Sequence, residues 1–432
     1  MNNVYICLSV KNNFFMKYIF VSLLIALFFT EFSFSQKTGA TNKDLQLNSI
    51  TTAMPFLSIT PDSRAGGMGE AGTALSPNST SIYWNSSMLS FAKKKGEIGM
   101  SYVPWLRQLT NDISLSYLSG YAKLSDKHTI GGSLRYFSLG EITFTDNSGS
   151  IIRNDKPNEY EITGAYAFKL SPKMSVGVNA NFAYSNLTGG LVTGGVNTKA
   201  GVAGATDISF TYLNDNAKIA TTNGDFVFAT TLNSIGSKIA YSENSRRDFI
   251  PMNIKVATSY KAELDKYNSL LLAFELQKLL VPTPPIYAAD GTTIASGKNN
   301  DIGVIAGMLQ SFNDAPGALV KDASGSYVQN SDGSYQVVKG SKLKEELSEI
   351  NIATGMEYWY NDVFALRTGY FYESKNKGNR KYVNFGAGFK YNNLGIDMSY
   401  LVSVSGRNSP LANTIRFTLR YTFGDSVAKE EK

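Results

Sequence analysis

From about residue 92 to its end the chain alternates. Val176, Val178, Ala180, Phe182 and Tyr184 interleave with Gly177, Asn179, Asn181, Ala183 and Ser185. Val383, Phe385, Ala387, Phe389 and Tyr391 interleave with Asn384, Gly386, Gly388 and Lys390, and Ile415, Phe417, Leu419, Tyr421 and Phe423 with Arg416, Thr418, Arg420 and Thr422. In another segment Ile113, Leu115, Tyr117 and Tyr121 share one face, opposite Ser114, Ser116 and Gly120. Period two with unlike faces predicts strands. A soluble sandwich would alternate too. Here the apolar faces are rich in Tyr and Phe near strand ends, and the opposite faces carry Gly, Ser, Asn, Thr and an occasional Arg. That pairing predicts a lipid-facing exterior with aromatic girdles around a hydrated lumen. In hydrocarbon each backbone group must pair within the protein, so such strands must close into a barrel.

Thirteen strands are legible, near residues 97–103, 111–123, 128–138, 158–169, 173–186, 224–233, 252–262, 268–279, 350–359, 363–373, 382–391, 394–402 and 414–423. Short turns sit at Ser125-Asp126-Lys127, Ser171-Pro172, Leu264-Asp265-Lys266, Asn361-Asp362 and Asn392-Asn393. They share one end of the barrel only if one more strand lies between residues 234 and 262. The segment Lys238 to Ser242 is the candidate, which makes fourteen antiparallel strands with both barrel termini on the short-turn, periplasmic side. The expected fold is all-β: a transmembrane outer-membrane barrel spanning residues 93–423, with a tail at 424–432.

Three stretches do not read as wall. Residues 36–92 precede the first strand and predict a periplasmic or plug segment. Residues 187–222, rich in Gly, Thr and Asn, predict a long external loop. Residues 280–348 predict a second, with a short helix within 301–311, a hairpin from the near-duplicate SGSYVQ and DGSYQV runs, and a helix at KLKEELSEI. At the other end, residues 1–35 have the layout of a secretory signal peptide: Lys17, then an apolar run from Tyr18 to Thr30, then Ser33-Phe34-Ser35 before Gln36. Met16 is the better start. The expected destination is the outer membrane.

Composition narrows the chemistry. Charged residues make up 18% of the 432, below the usual quarter of a soluble domain, and aromatics 12%. The net charge of +6 forms no basic stripe, so nucleic-acid binding is not expected. One histidine, His128, and one cysteine, Cys7, cannot build a Cys/His metal site or a catalytic triad. No catalytic residue, metal or cofactor is expected, and the chain reads as a non-enzyme. Gly67 to Gly72 matches G-x-G-x-x-G, yet no strand pattern precedes it and no acidic residue falls between Glu70 and Glu97, so it reads as a tight plug segment rather than a nucleotide site. Glu161, Arg367, Asp397, Arg416 and Arg420 fall on polar strand faces and are candidate lumen residues.

The run Pro61-Asp62-Ser63-Arg64-Ala65-Gly66-Gly67-Met68-Gly69-Glu70-Ala71-Gly72, followed by Tyr83-Trp84-Asn85-Ser86, resembles the plug entrance of the FadL superfamily of outer-membrane transporters. Ser86 stands where that pattern has proline. The resemblance implies plug roles for Arg64, Gly66, Gly67, Gly69, Trp84 and Asn85. Ser101-Tyr102-Val103-Pro104-Trp105-Leu106, with Ser133 to Ile142 and Ser311 to Gly317, resembles more narrowly the PorV (also LptO) family of the type IX secretion system, and Tyr102, Pro104 and Trp105 are its signature here. That resemblance implies a shuttle. It would bind the C-terminal signal domain of cargo at a large SprA-like translocon barrel and hand it to a PorU-like sortase, which attaches cargo to lipopolysaccharide in the outer membrane. The alternative is a FadL-like transporter of hydrophobic compounds.

Overall fold

The computed structural model describes residues 45–426, apart from 108–109, 111, 147, 188–189, 191, 194–195, 220–221, 244, 323 and 405–412. The signal peptide, the start at Met16, Cys7 and the last residues of the tail lie outside the described residues. Fourteen antiparallel strands close a barrel. They are β1 Lys94–Pro104, β2 Ser114–Lys123, β3 His128–Ser138, β4 Asn158–Ser171, β5 Met174–Asn186, β6 Gly201–Ile219 and β7 Thr222–Gly236. The second half comprises β8 Asn253–Glu263, β9 Asn268–Leu279, β10 Ile350–Tyr360, β11 Phe364–Tyr372, β12 Lys381–Tyr391, β13 Leu394–Ser403 and β14 Ile415–Ser426. Each strand pairs with its neighbours in sequence, and β1 pairs with β14 from Lys94↔Ser426 to Tyr102↔Phe417. No helix among the described residues is long and apolar enough to cross a membrane; the strands do the crossing.

The wall follows the alternation. Met100, Phe385 and Tyr421 are more than half exposed on the outside, whereas Ser101, Asn384 and Arg416 on the opposite parity are at most 1% exposed. An apolar outer band and a polar inner face is the arrangement a barrel in lipid requires.

The count of fourteen holds, but the fourteenth strand is not Lys238 to Ser242. It is β6, inside the stretch read as a loop at 187–222. Its inward residues Gly201, Ala203 and Ala205 are small, and its outward face is diluted by Gly204 and Thr206. The inward face is therefore small, and the outward run of Val202, Ile208, Phe210 and Tyr212 is interrupted in its first half. Ile239 instead turns inward into a cluster at the barrel mouth. The faces of β2 also reverse the expectation: Leu115, Tyr117 and Tyr121 are buried inside, and Leu118 faces out together with Ser114, Ser116 and Gly120. These side chains pack against material that fills the lumen. β14 runs past Phe423 to Ser426, so the expected tail begins as wall.

Turns of two to four residues join β2–β3, β4–β5, β8–β9, β10–β11 and β12–β13, all at one end; Asn361, Asp362 and Asn392 adopt positive φ there. The other end carries the long connections. The largest, residues 280–349, contains α3 Val304–Gln310 and α4 Ser341–Ser348. Its duplicated segment is not a simple hairpin. Val328 N–H donates to Val320 C=O, Gln336 N–H to Val328 C=O, and Val320 N–H to Gln336 C=O. The eight-residue spacing closes a triangle because Gly325 and Gly333 each turn a corner with positive φ.

Residues 45–92 occupy the barrel interior. They begin at the long-loop end, where Met54, Phe56 and Leu57 pack with Val103, Leu115, Phe249, Ile250 and Leu280. They continue through α1 Ser63–Gly66 and α2 Ser81–Trp84 and end at the short-turn end, where Lys123 Nζ donates to Ser90 and Ala92 carbonyls at 3.3 and 3.0 Å. The segment expected as periplasmic or plug therefore traverses the lumen, and its first part lies at the opposite end from the barrel termini. Its apolar side chains find buried partners only among the inward-facing residues.

Candidate functional site: the plug and its ion-pair lock

Asp62 organises the middle of the plug. Its Oδ2 accepts the Ala65 N–H at 3.0 Å and caps α1, and its Oδ1 accepts the Trp84 Nε1–H at 2.6 Å. One carboxylate thus fixes the helix and the indole together. Gly69 has φ +65, and a Cβ there would lie 2.5 Å from the Tyr370 nitrogen in the wall. On the wall side a Cβ at Gly369 would lie 2.1 Å from the Met68 carbonyl carbon. Plug and wall backbones meet with no side chain between them, which only glycine permits. Nearby, Asn384 Nδ2 donates to the Gly66 carbonyl at 2.6 Å, and Gly67 lies against Gly386. Asn85 Nδ2 donates to Thr73 O and Thr211 Oγ1 at 2.9 and 2.8 Å. Ser86, where proline was the norm, meets Ser209 Oγ at 3.3 Å.

A chain of charges ties this plug to the wall. Arg64 grips Glu357 of β10 with two bonds, Nε–Oε2 at 2.9 Å and Nη2–Oε1 at 2.7 Å. Arg367 of β11 donates to Glu357 at 2.6 Å and to Asp397 of β13 at 2.8 Å. Asp397 accepts from Arg420 of β14 at 2.6 Å, and Arg420 lies 4.0 Å from Glu97 of β1. Glu97 closes the circuit by accepting the Ser79 N–H of the plug at 2.7 Å. A separate pair joins Arg416 to Glu70 of the plug at 2.8 Å. Glu161 lies across the barrel, paired with Arg135, which also donates to the Phe56 and Leu57 carbonyls and stacks over Tyr83. Each charge is matched because an unpaired one in this interior would cost several kcal/mol, about 3–5 when a partner is removed.

Of the candidate lumen residues, Arg367, Asp397 and Arg420 thus form one array, and Arg416 and Glu161 form separate contacts. Glu357, Glu97 and Asp62 are central but were not singled out from the sequence. The signal for the first two was present, since both lie on the inward parity of their strands. Of the signature residues, Tyr102 faces outward, Pro104 ends β1, and Trp105 packs onto the mouth cluster. His128 bonds Tyr166 Oη at 2.6 Å on the outside.

A cavity of about 100 Å³ remains between plug and wall. Arg135, Glu161, Asp207, Lys255, Lys278 and Arg380 are among its lining residues. At the mouth, Lys278 pairs with Glu349, and Lys377 with Glu349 and Glu345 at 2.9 and 2.7 Å. Burial would raise the Glu349 carboxyl, but Lys377 and Lys278 hold it below the usual range. Asp314 and Glu346 bring oxygens close to Glu349. These three carboxylates are the group best placed to hold a cation, but Glu349 is already bonded to two lysines and Thr283, so the arrangement is an ion-pair clamp.

The family model described as type IX secretion system protein PorV matches residues 41–286, more than half of the chain. The chain belongs to the PorV family. The match takes in the plug, the Tyr102-Pro104-Trp105 signature and strands β1 to β9, whereas Arg367, Asp397, Arg416 and Arg420 lie beyond it. No curated protein matches the chain. Similar solved structures include the Pseudomonas putida toluene transporter TodX (13% identity, 87% of this chain and 98% of that one, TM-score 0.43). The Ralstonia pickettii toluene transporter TbuX (10%, 84% and 98%, 0.43) and a Pseudomonas aeruginosa FadL homologue (9%, 85% and 99%, 0.42) are also similar. As a PorV-family chain it is a component of type IX secretion.

Proposed function

We propose that this barrel is the outer-membrane shuttle of a type IX secretion system. It takes the C-terminal signal domain of exported cargo from a large SprA-like translocon barrel and presents it to a PorU-like sortase for attachment to lipopolysaccharide. Working from the long-loop face requires no passage through the lumen. The observation that carries this reading is the filled interior: a plug clamped by Arg64–Glu357 and Arg416–Glu70, beside a small, mostly polar cavity. Recognition then belongs to the long loops, which face outward in barrels of this kind. There α3 presents Ile305 and Leu309, and Phe312 follows it, all more than half exposed while Val304 and Met308 pack inward. A protein-binding face of that kind suits a non-enzymatic carrier.

The alternative, transport of hydrophobic compounds, needs an apolar route. The charged lining of the cavity speaks against it, because burying an alkyl chain beside Arg135, Lys255 and Glu161 would desolvate those groups without return. Deletion of the gene tests the proposal. Signal-bearing cargo should accumulate in the periplasm, and normal surface display in the deletant would refute the shuttle.

A further inference from the structure

The plug runs end to end through the barrel. Near its end, Ser175 Oγ of β5 donates to the Ser87 carbonyl at 2.9 Å, and Lys123 of β2 holds Ser90 and Ala92, all at the short-turn end. Its first part, a strap over residues 45–59, makes its contacts at the opposite end. Asn48 N–H donates to Asn376 C=O in the β11–β12 loop, and its side chain donates to Pro284 C=O and Glu345 Oε1 in the β9–β10 loop, both at 3.1 Å. Ala53 N–H donates to Phe249 C=O in the β7–β8 loop. Leu47 is 77% exposed among these contacts.

We infer that the strap is displayed on the outer face of the membrane, where it forms part of the loop surface that exported polypeptide meets. The first half of this inference needs only the barrel's orientation; the second rests on the shuttle reading above. Asn48 joins two long loops through three bonds, so the strap is part of the surface those loops present. Leu47 offers exported polypeptide an apolar contact there.

The test is cysteine labelling of intact cells with a membrane-impermeant maleimide, in a Cys7→Ser background. Leu47→Cys should label as fast as Lys298→Cys in the β9–β10 loop, while Lys127→Cys in the β2–β3 turn labels only after lysis. Protection of Leu47→Cys in intact cells, with Lys298→Cys labelled, would overturn display. Labelling of Lys127→Cys but not Lys298→Cys would overturn the orientation on which display depends. Heat-modifiable migration of each variant confirms a folded barrel. A bulky polyethylene-glycol maleimide on Leu47→Cys should then lower cargo display at least severalfold. Unchanged display would overturn the polypeptide contact and leave the deletion test of the shuttle unaffected.

Discussion

Arg64 and Glu357 are 293 positions apart, yet they meet through two parallel bonds of 2.9 and 2.7 Å inside the barrel. The fork of a guanidinium matches the two oxygens of a carboxylate, so the pair fixes direction as well as charge. Arg64 also donates to the Ser76 carbonyl and hydroxyl, which folds the plug back on itself. Replacing Glu357 with Gln leaves Arg64 and Arg367 sharing one neutral partner. The expected cost is about 3–5 kcal/mol. In planar bilayers the variant should show larger and more frequent conductance than the parent. Equal conductance and equal thermal stability would contradict a plug held by this lock.

The lock works only because plug and wall come close. At Gly369 a Cβ would meet the Met68 carbonyl carbon at 2.1 Å, and backbone cannot move aside as a side chain can. Gly369→Val should displace the plug locally, with a destabilisation of about 1–3 kcal/mol from overpacking. The outer apolar face is untouched, so membrane assembly should persist. Faster proteolysis between residues 60 and 92 in the purified variant, with an intact barrel band, is the expected reading.

How far the sequence discloses this arrangement depends on which force writes it. Lipid writes loudly: Val176 to Tyr184 and Ile415 to Phe423 show their outward parity because hydrocarbon demands apolar side chains there. Plug contact writes faintly. β2 turns Leu115, Tyr117 and Tyr121 toward the plug, so its most apolar face points the wrong way for a simple barrel. β6 packs small residues inward and has a mixed exterior, and its composition imitates a loop. Glu97 and Glu357 follow the parity rule, and Glu357 faces Arg367 across the β10–β11 hairpin, but Arg64 and Arg420 reach them from hundreds of positions away, which no local pattern can pair.

Asp314, beside the mouth clamp, is held well above the usual carboxylate range. Burial pushes Asp314 up to about 6, and the charges of Glu349 and Glu346 add to this. An unfolded loop would hold the same group near 3.8. A raised carboxyl pKa favours the folded, protonated loop below the unfolded value and loses that contribution as pH rises through about 6. Glu349 works in the opposite sense and fades only in more acidic solution, below its unfolded value. Between pH 5 and 7.5 the loop at 280–349 should therefore be better protected from hydrogen exchange at pH 5. Asp314→Asn should flatten the difference; an unchanged pH profile in that variant would exclude Asp314 as its source.

The exposed face of α3 offers the most direct test of partner binding. Val304 and Met308 anchor the helix to the mouth cluster, while Ile305, Leu309 and Phe312 face away from it. Replacing the outward three with serine removes no packing that the barrel uses. Thermal stability should therefore remain within about 0.5 kcal/mol, the usual range for surface changes. An apolar anchor at an interface contributes about 2 kcal/mol or more when truncated, roughly thirtyfold in affinity. Cargo displayed at the cell surface should fall accordingly, with periplasmic cargo rising in step. The complementary variant, Met308→Ala, should instead lower stability by about 1–2 kcal/mol, because its partly buried side chain packs on the mouth cluster. Serine variants with full cargo display and parental stability would move the partner surface away from this helix and onto the remaining long loops.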